Sequence, residues 1–176
     1  MTKHCNYYLT LLLLTIVISG CSSLPKQEQQ DEVVQSTGPE PVPVDQGLAL
    51  DQTYFDQAKK LLDANNYEGV VELNNSAVEA GINTARLWNL SGVANRYQGR
   101  LKEAEKSYQA ALSHNPEHLH SLMNLAILYD IYLQDLTKAM QYYLTYQDAL
   151  EKQGKTNPQL KNWIADLKSR LSKTGS

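Results

Sequence analysis

The chain has 176 residues, a net charge of −3, 42% hydrophobic and 20% charged residues, enough for one ordinary domain with extensions. No basic excess favours nucleic acid, and the two cysteines, Cys5 and Cys21, lie too close to the N-terminus to staple a core. The charge is uneven: residues 22–50 carry Lys26 against Glu28, Asp31, Glu32, Glu40 and Asp45, a balance of −4, whereas residues 51–176 hold 14 bases and 14 acids.

Residues 1–8 contain Lys3 and no acid, and Leu9 to Ile18 read LTLLLLTIVI, apolar except for Thr10 and Thr15. A positive start, a short apolar run and then small residues describe a secretory signal over residues 1–20. The run falls short of the roughly 20 apolar residues that span a bilayer. Ile18, Ser19, Gly20 and Cys21 follow the order aliphatic, small, small, cysteine. This resembles the lipobox of bacterial lipoproteins. The resemblance implies a diacylglycerol thioether on Cys21 and cleavage just before it. Ser22, in place of the aspartate that retains lipoproteins at the inner membrane, implies a periplasm-facing outer-membrane anchor in a diderm bacterium. Two or more acyl chains anchor stably where one does not.

Residues 22–50 contain Pro25, Gly38, Pro39, Pro41, Pro43 and Gly47 among Gln, Glu and Ser, with no helical or strand period. Such a composition buries too little apolar surface to offset chain entropy. Residues 21–50 therefore read as a lipidated cysteine and a disordered tether, polyproline-like around GPEPVPV, reaching roughly 30 Å as a coil. A docking peptide built on Val33-Val34 or Val42-x-Val44 is the alternative.

From Asp51 a period of 34 residues begins. Tyr54 and Trp88, Tyr67 and Leu101, Val70 and Ala104, Asn74 and Tyr108, Ala77 and Ala111, Val78 and Leu112 are each 34 apart. In residues 85–118, Trp88, Gly92, Gly99, Ala104, Tyr108, Ala111 and Pro116 stand in an order that resembles the tetratricopeptide repeat (TPR), with Ser91 and Asn95 departing from the expected Leu and Tyr. The resemblance implies an all-α solenoid of helix-turn-helix units at 51–84, 85–118 and 119–153. Gly92 and Ala104 are small so that the two helices of a unit cross closely, with Trp88, Tyr108 and Leu112 around the contact. Pro116 stops its helix, and Ala80-Gly81 reads as a helix C-cap. The third unit, with Leu122, Leu125, Ala126, Tyr129, Ala139 and Tyr143 in register, carries one extra residue, expected in or near Gln134-Asp135, and Tyr146 where a small residue is usual.

Residues 154–176 read as a capping helix. Asn157-Pro158 form an N-cap and first-turn pair. Leu160, Trp163, Ile164, Leu167 and Leu171 recur on one face, with Lys161, Lys168, Arg170 and Lys173 off it. A terminal repeat needs such a cover, so Trp163 is expected in the core, with partner contact as its alternative.

No phosphate loop, G-x-S-x-G or H-E-x-x-H appears. His114, His118 and His120 lack the further ligands a zinc shell needs, and a histidine near a helix end suits the local dipole. Neither enzymatic activity, cofactor, metal nor small-molecule substrate is expected. The TPR resemblance instead implies a concave groove lined by the first helix of each unit. That places Phe55, Lys59, Leu62 and Asp63 in the groove, then Arg86, Asn89, Leu90, Val93, Arg96 and Tyr97, then His120, Met123, Asn124, Ile127, Asp130 and Ile131. Lys59, Arg86 and Arg96 are candidates to hold a carboxylate. The clamp with which chaperone-binding members hold a C-terminal carboxylate is not kept: Phe55, Lys59, Leu90, His120 and Asn124 stand at its five positions, and only Asn124 is of a similar type. The expected partner is a protein or peptide of the bacterial envelope, met by a scaffold whose own membrane contact is the lipid on Cys21. Self-association through Trp163 or Tyr146, and a cell-wall enzyme, are the alternatives.

Overall fold

The computed structural model describes residues 44–174, so the signal, Cys21 and residues 22–43 of the tether lie outside the described residues. Among the described residues seven α-helices follow one another: α1 (Val44–Asp63), α2 (Tyr67–Glu79), α3 (Ala85–Tyr97), α4 (Leu101–His114), α5 (Leu119–Ile127), α6 (Leu136–Lys152) and α7 (Leu160–Thr174). A π turn at Leu128–Tyr132 continues α5. Helices pair as α1/α2, α3/α4 and α5/α6, and α3 packs on both α1 and α5, so the first helices of the units form one layer.

The 34-residue period is visible in the backbone. The turn inside each pair needs one residue with positive φ, and Asn65 (57°), Gly99 (74°) and Gln134 (55°) supply it. Asn and Gly reach that region readily, and Gln does so less often. Side-chain oxygens of Asn66 and Asp135 then accept the Gly69 and Lys138 N–H groups at 3.0 Å and start the second helices. The end of α2 is closed by Gly81 at φ 79°. The Ile82 N–H reaches the Ala77 carbonyl at 2.8 Å and the Gly81 N–H reaches Val78 at 3.0 Å, so the cap expected at Ala80-Gly81 is a Schellman turn.

Three expectations need correction. Helix α1 begins at Val44, so residues 44–50, read as tether, are its first two turns. Leu48 and Leu50 there stay exposed: regular backbone formed with little apolar cover. The extra residue of the third unit lies in the first helix, not at Gln134-Asp135. The Leu133 N–H donates to the Leu128 carbonyl, five residues back, at 2.9 Å, and the wider turn absorbs the insertion. Finally, α7 proper starts at Leu160, two residues after Pro158, although Asn157 Oδ1 does accept the Gln159 N–H at 3.1 Å.

Two apolar clusters form the core. One, around Ala58, Val70, Ala77, Leu87 and Ala94, joins the first two units. The other runs from Ala104 and Tyr108 through the third unit to Leu160, Ile164 and Leu167 of α7. Each buried leucine contributes about 1.5–3 kcal/mol, which holds α7 onto α6. Gly92 behaves as its size suggests: a Cβ there would stand 2.4 Å from Cε1 of Tyr108.

Candidate partner-binding groove

The first helices place their side chains unevenly along the concave face. At the α1 end, Arg86 of α3 is already neutralised. It pairs with Asp51 at 2.5 Å, donates to Gln52 at 2.9 Å, and its guanidinium stands 4.5 Å over the Phe55 ring. Lys59 lies 6.0 Å from the same ring centroid, and Leu62 packs into the first cluster. Of the three cations read as carboxylate holders, Arg86 is therefore occupied, because Asp51 comes within reach one repeat earlier on α1.

In the middle, polarity is again used between helices. Asn89 Oδ1 accepts from Asn124 Nδ2 at 2.9 Å and from Ser121 at 3.2 Å, locking α3 to α5. Asn89 and Leu90 are buried, while Val93, Met123 and Ile127 are half-buried. His120 is exposed, with its ring 5.8 Å from that of His118. His118 engages Ser121 at 2.8 Å, and burial, then the charge of His120, hold it below its ordinary pKa.

Beyond Arg96 the character changes. Arg96 donates to the Tyr132 hydroxyl at 2.9 Å and lies 4.9 Å over Tyr97 and 5.5 Å over Tyr132. Tyr97, 58% exposed, stacks on Tyr67 with centroids 5.0 Å apart. Burial pushes the Tyr108 phenol up to about 12, against the pull of the neighbouring Arg96.

The α5 end opens into a cleft of about 520 Å³, lined by Met123, Ile127, Asp130, Ile131, Tyr143, Trp163, Asp166 and Arg170. It exists because α7 packs on α6 and makes no helix contact with α5, unlike the earlier steps of the layer. Its polar end is closed internally: Asp130, buried, pairs with Arg170 and accepts the Tyr143 hydroxyl at 3.3 Å, while Arg170 also reaches Asp166 at 2.9 Å. Burial, with the Asp130 carboxylate beside it, raises the Tyr143 pKa to about 12. The apolar mouth is formed by Ile131, 60% exposed, and Trp163, 37% exposed.

Trp163 thus departs from the core placement read for it. Leu160, Ile164 and Leu167 take the buried stripe of α7, and Trp163 falls on its edge, facing Tyr143 at 6.2 Å. A groove read from first helices alone leaves out Tyr143, a second-helix residue of α6, and a C-terminal helix read as a cap leaves out Trp163, Asp166 and Arg170 of α7. A tryptophan at the border of an amphipathic stripe was the available signal.

No protein-family model matches the chain, and no curated protein does either. Solved structures do. The TPR domain of Sgt2 from Aspergillus fumigatus is 15% identical, with 78% of this chain and 87% of that chain covered and a TM-score of 0.62. The first TPR of Spaghetti (RPAP3), solved with the HSP90 peptide SRMEEVD, is 15% identical over 74% of this chain and 97% of that one, at 0.61. SycD, the type III secretion translocator chaperone of Yersinia enterocolitica, is 14% identical over 75% and 85%, at 0.56. At such identities the likeness is one of fold, and it agrees with the helix pairs and their period: the chain folds as a TPR solenoid of three helix pairs closed by a seventh helix.

Proposed function

We propose that the chain is a non-catalytic adaptor that holds a segment of an envelope protein in its concave groove, tethered by a lipid on Cys21 to the periplasmic face of the outer membrane. The observation that carries the reading is the cleft between α5 and α7, with Ile131 and Trp163 exposed at its mouth. Exposed apolar side chains around a concavity on a monomer mark interaction sites. Two neighbours in fold support it: one was solved holding a peptide, and another is named as a secretion chaperone. The address rests on Ile18-Ser19-Gly20-Cys21 followed by Ser22.

Photo-crosslinking amino acids placed at Ile131, Trp163 and the outward Lys102 of the full chain test the groove in living cells. Discrete protein adducts are expected from the first two positions and not from the third. Equal adducts from all three, or none from the groove, refute the reading. Separately, Cys21→Ser removes palmitate labelling and releases the protein from the membrane fraction; a variant that stays membrane-bound refutes the anchor.

A further inference from the structure

The two sides of α7 are built differently. One turns Trp163, Asp166 and Arg170 to the cleft beside α5. The other, with α6 and the loop between them, walls a second groove of about 540 Å³, to which α1, α3 and α5 contribute no residue. Leu150 of α6 with Leu160 and Ile164 of α7 form its floor, and Ala165 stands exposed on its wall. Leu160, Lys161, Ile164, Ala165 and Lys168 line it at helical steps, so the groove follows α7 for about two turns, about 12 Å.

The repeat accounts for its presence. In the first three units the first helix packs on its own second helix, α1 on α2, α3 on α4 and α5 on α6. Helix α7 follows α6 as α3 follows α2 and α5 follows α4, yet among the described residues it packs on α6 alone. Gly92, four residues after Trp88, meets Tyr108 of the second helix α4. Ile164, four residues after Leu160, holds the same position of a fourth first helix and lines the groove instead. The groove is the seat that a second helix would take.

The rim sets the charge of the occupant. Lys155, Lys161 and Lys168 surround the floor against one acid, Glu151. Among the described residues neither Lys161 nor Lys168 pairs with a carboxylate, whereas Lys138 and Lys152 pair with Asp135 and Glu117. Lys155 donates to the Gln153 side chain at 2.9 Å. Asp166, the one acid of α7, pairs with Arg170 on the other side. A second copy seated groove to groove would set these lysines against one another, which like charges resist.

We propose that the groove between α6 and α7 docks an amphipathic helix of a partner protein, which lays an aliphatic stripe on Leu150, Leu160 and Ile164 and sets Glu or Asp flanks against Lys155, Lys161 and Lys168. The arriving helix completes a fourth pair in trans. Its anchors recur at three- and four-residue spacing, as a helix held in a groove requires. This surface is separate from the concave groove and does not depend on it.

The test titrates the full chain, in detergent and at low salt, with fluorescent helical peptides of about 15 residues that share one leucine stripe and carry Glu, Gln or Lys beside it. The Glu peptide should bind about tenfold tighter than the Lys peptide, with Gln between, and the gap should narrow as salt is added. Scrambling the leucines off the stripe should cost the Glu peptide about tenfold. Ala165→Trp fills the groove from an exposed position and should weaken every peptide while circular dichroism stays the same. Lys161→Glu with Lys168→Glu should reverse the charge preference, and Lys102→Glu on α4 should change nothing. Equal binding of the three peptides, or binding that survives Ala165→Trp, overturns the proposal. So does binding of the Cys21→Ser chain to phosphatidylglycerol vesicles, lost in the Lys161→Glu, Lys168→Glu variant, without peptide binding: the lysines would then serve a membrane. Self-association abolished by Ala165→Trp gives the groove to a second copy. A several-fold gain in peptide affinity on Glu28→Gln, Asp31→Asn and Glu32→Gln gives it to the chain's own N-terminal segment. Either result overturns the assignment to a partner.

Discussion

Gly92→Ala reverses the usual sign of a glycine replacement in a helix. In an open helix, alanine gains about 1 kcal/mol over glycine. Here the new methyl carbon would stand 2.4 Å from Cε1 and 2.5 Å from Cδ1 of Tyr108. Carbon atoms rest about 3.5 Å apart, so the overlap is about 1 Å. Tyr108 is fully buried among the second cluster and has no room to retreat, so α3 and α4 must separate. Overpacking of this kind costs about 1–3 kcal/mol, and contact along a ring edge belongs at the upper end. The net loss is about 2 kcal/mol, or roughly 6–10 °C in melting temperature for a domain this size. Urea titration followed by helical circular dichroism reads it. Tyr108→Leu supplies the control: without the ring, Gly92→Ala should become neutral or stabilising, giving a coupling of several kcal/mol. If Gly92→Ala stabilises the parent protein, the close crossing of α3 and α4 is not what keeps glycine there.

Two further outcomes follow from buried polar groups. Asn74 is 2% exposed, and neither its Oδ1 nor its Nδ2 has a partner; Asn74→Leu keeps the branching and removes both, so it should stabilise by about 2 kcal/mol, read by the same titration, and a loss of stability would refute the account. His118 has its pKa lowered by burial and by His120. The folded state therefore resists a proton that the unfolded chain accepts near pH 6.5. Above that pH both states are neutral and stability is unaffected; below it stability should fall, more steeply than in His118→Gln. Identical pH curves for the two proteins would refute this.

The frame was legible because one unit, residues 85–118, carries its small and aromatic residues at the expected places, and simple arithmetic extends them to Val70, Ala77 and Ala139. The location of the inserted residue was not, because a loop is the ordinary place for an insertion and nothing in LYDIYLQD marks a π turn. The start of α1 was missed for a related reason: Gly47 and Pro43 signal irregular chain, and helix there gains no burial. The groove's charges were misjudged at Arg86, since its residue type was visible but not its counterpart. Yet Gln52 with Arg86, Asn89 with Asn124 and Arg96 with Tyr132 lie 34, 35 and 36 residues apart. Complementary polar residues one repeat apart on first helices were the signal that these side chains serve each other.

The π turn has an effect on how such a protein can change. In a stack, the direction of each pair is inherited by every pair after it, so an extra residue between helices would swing the remainder of the chain. Placed inside the helix, it leaves Gln134 in the turn position held by Asn65 and Gly99. The wider turn carries Ile131 and Tyr132 as exposed side chains and Leu128, Tyr129 and Asp130 as buried ones. Exposed residues of the turn can then change while the scaffold stays the same, which separates the evolution of this surface from the evolution of shape.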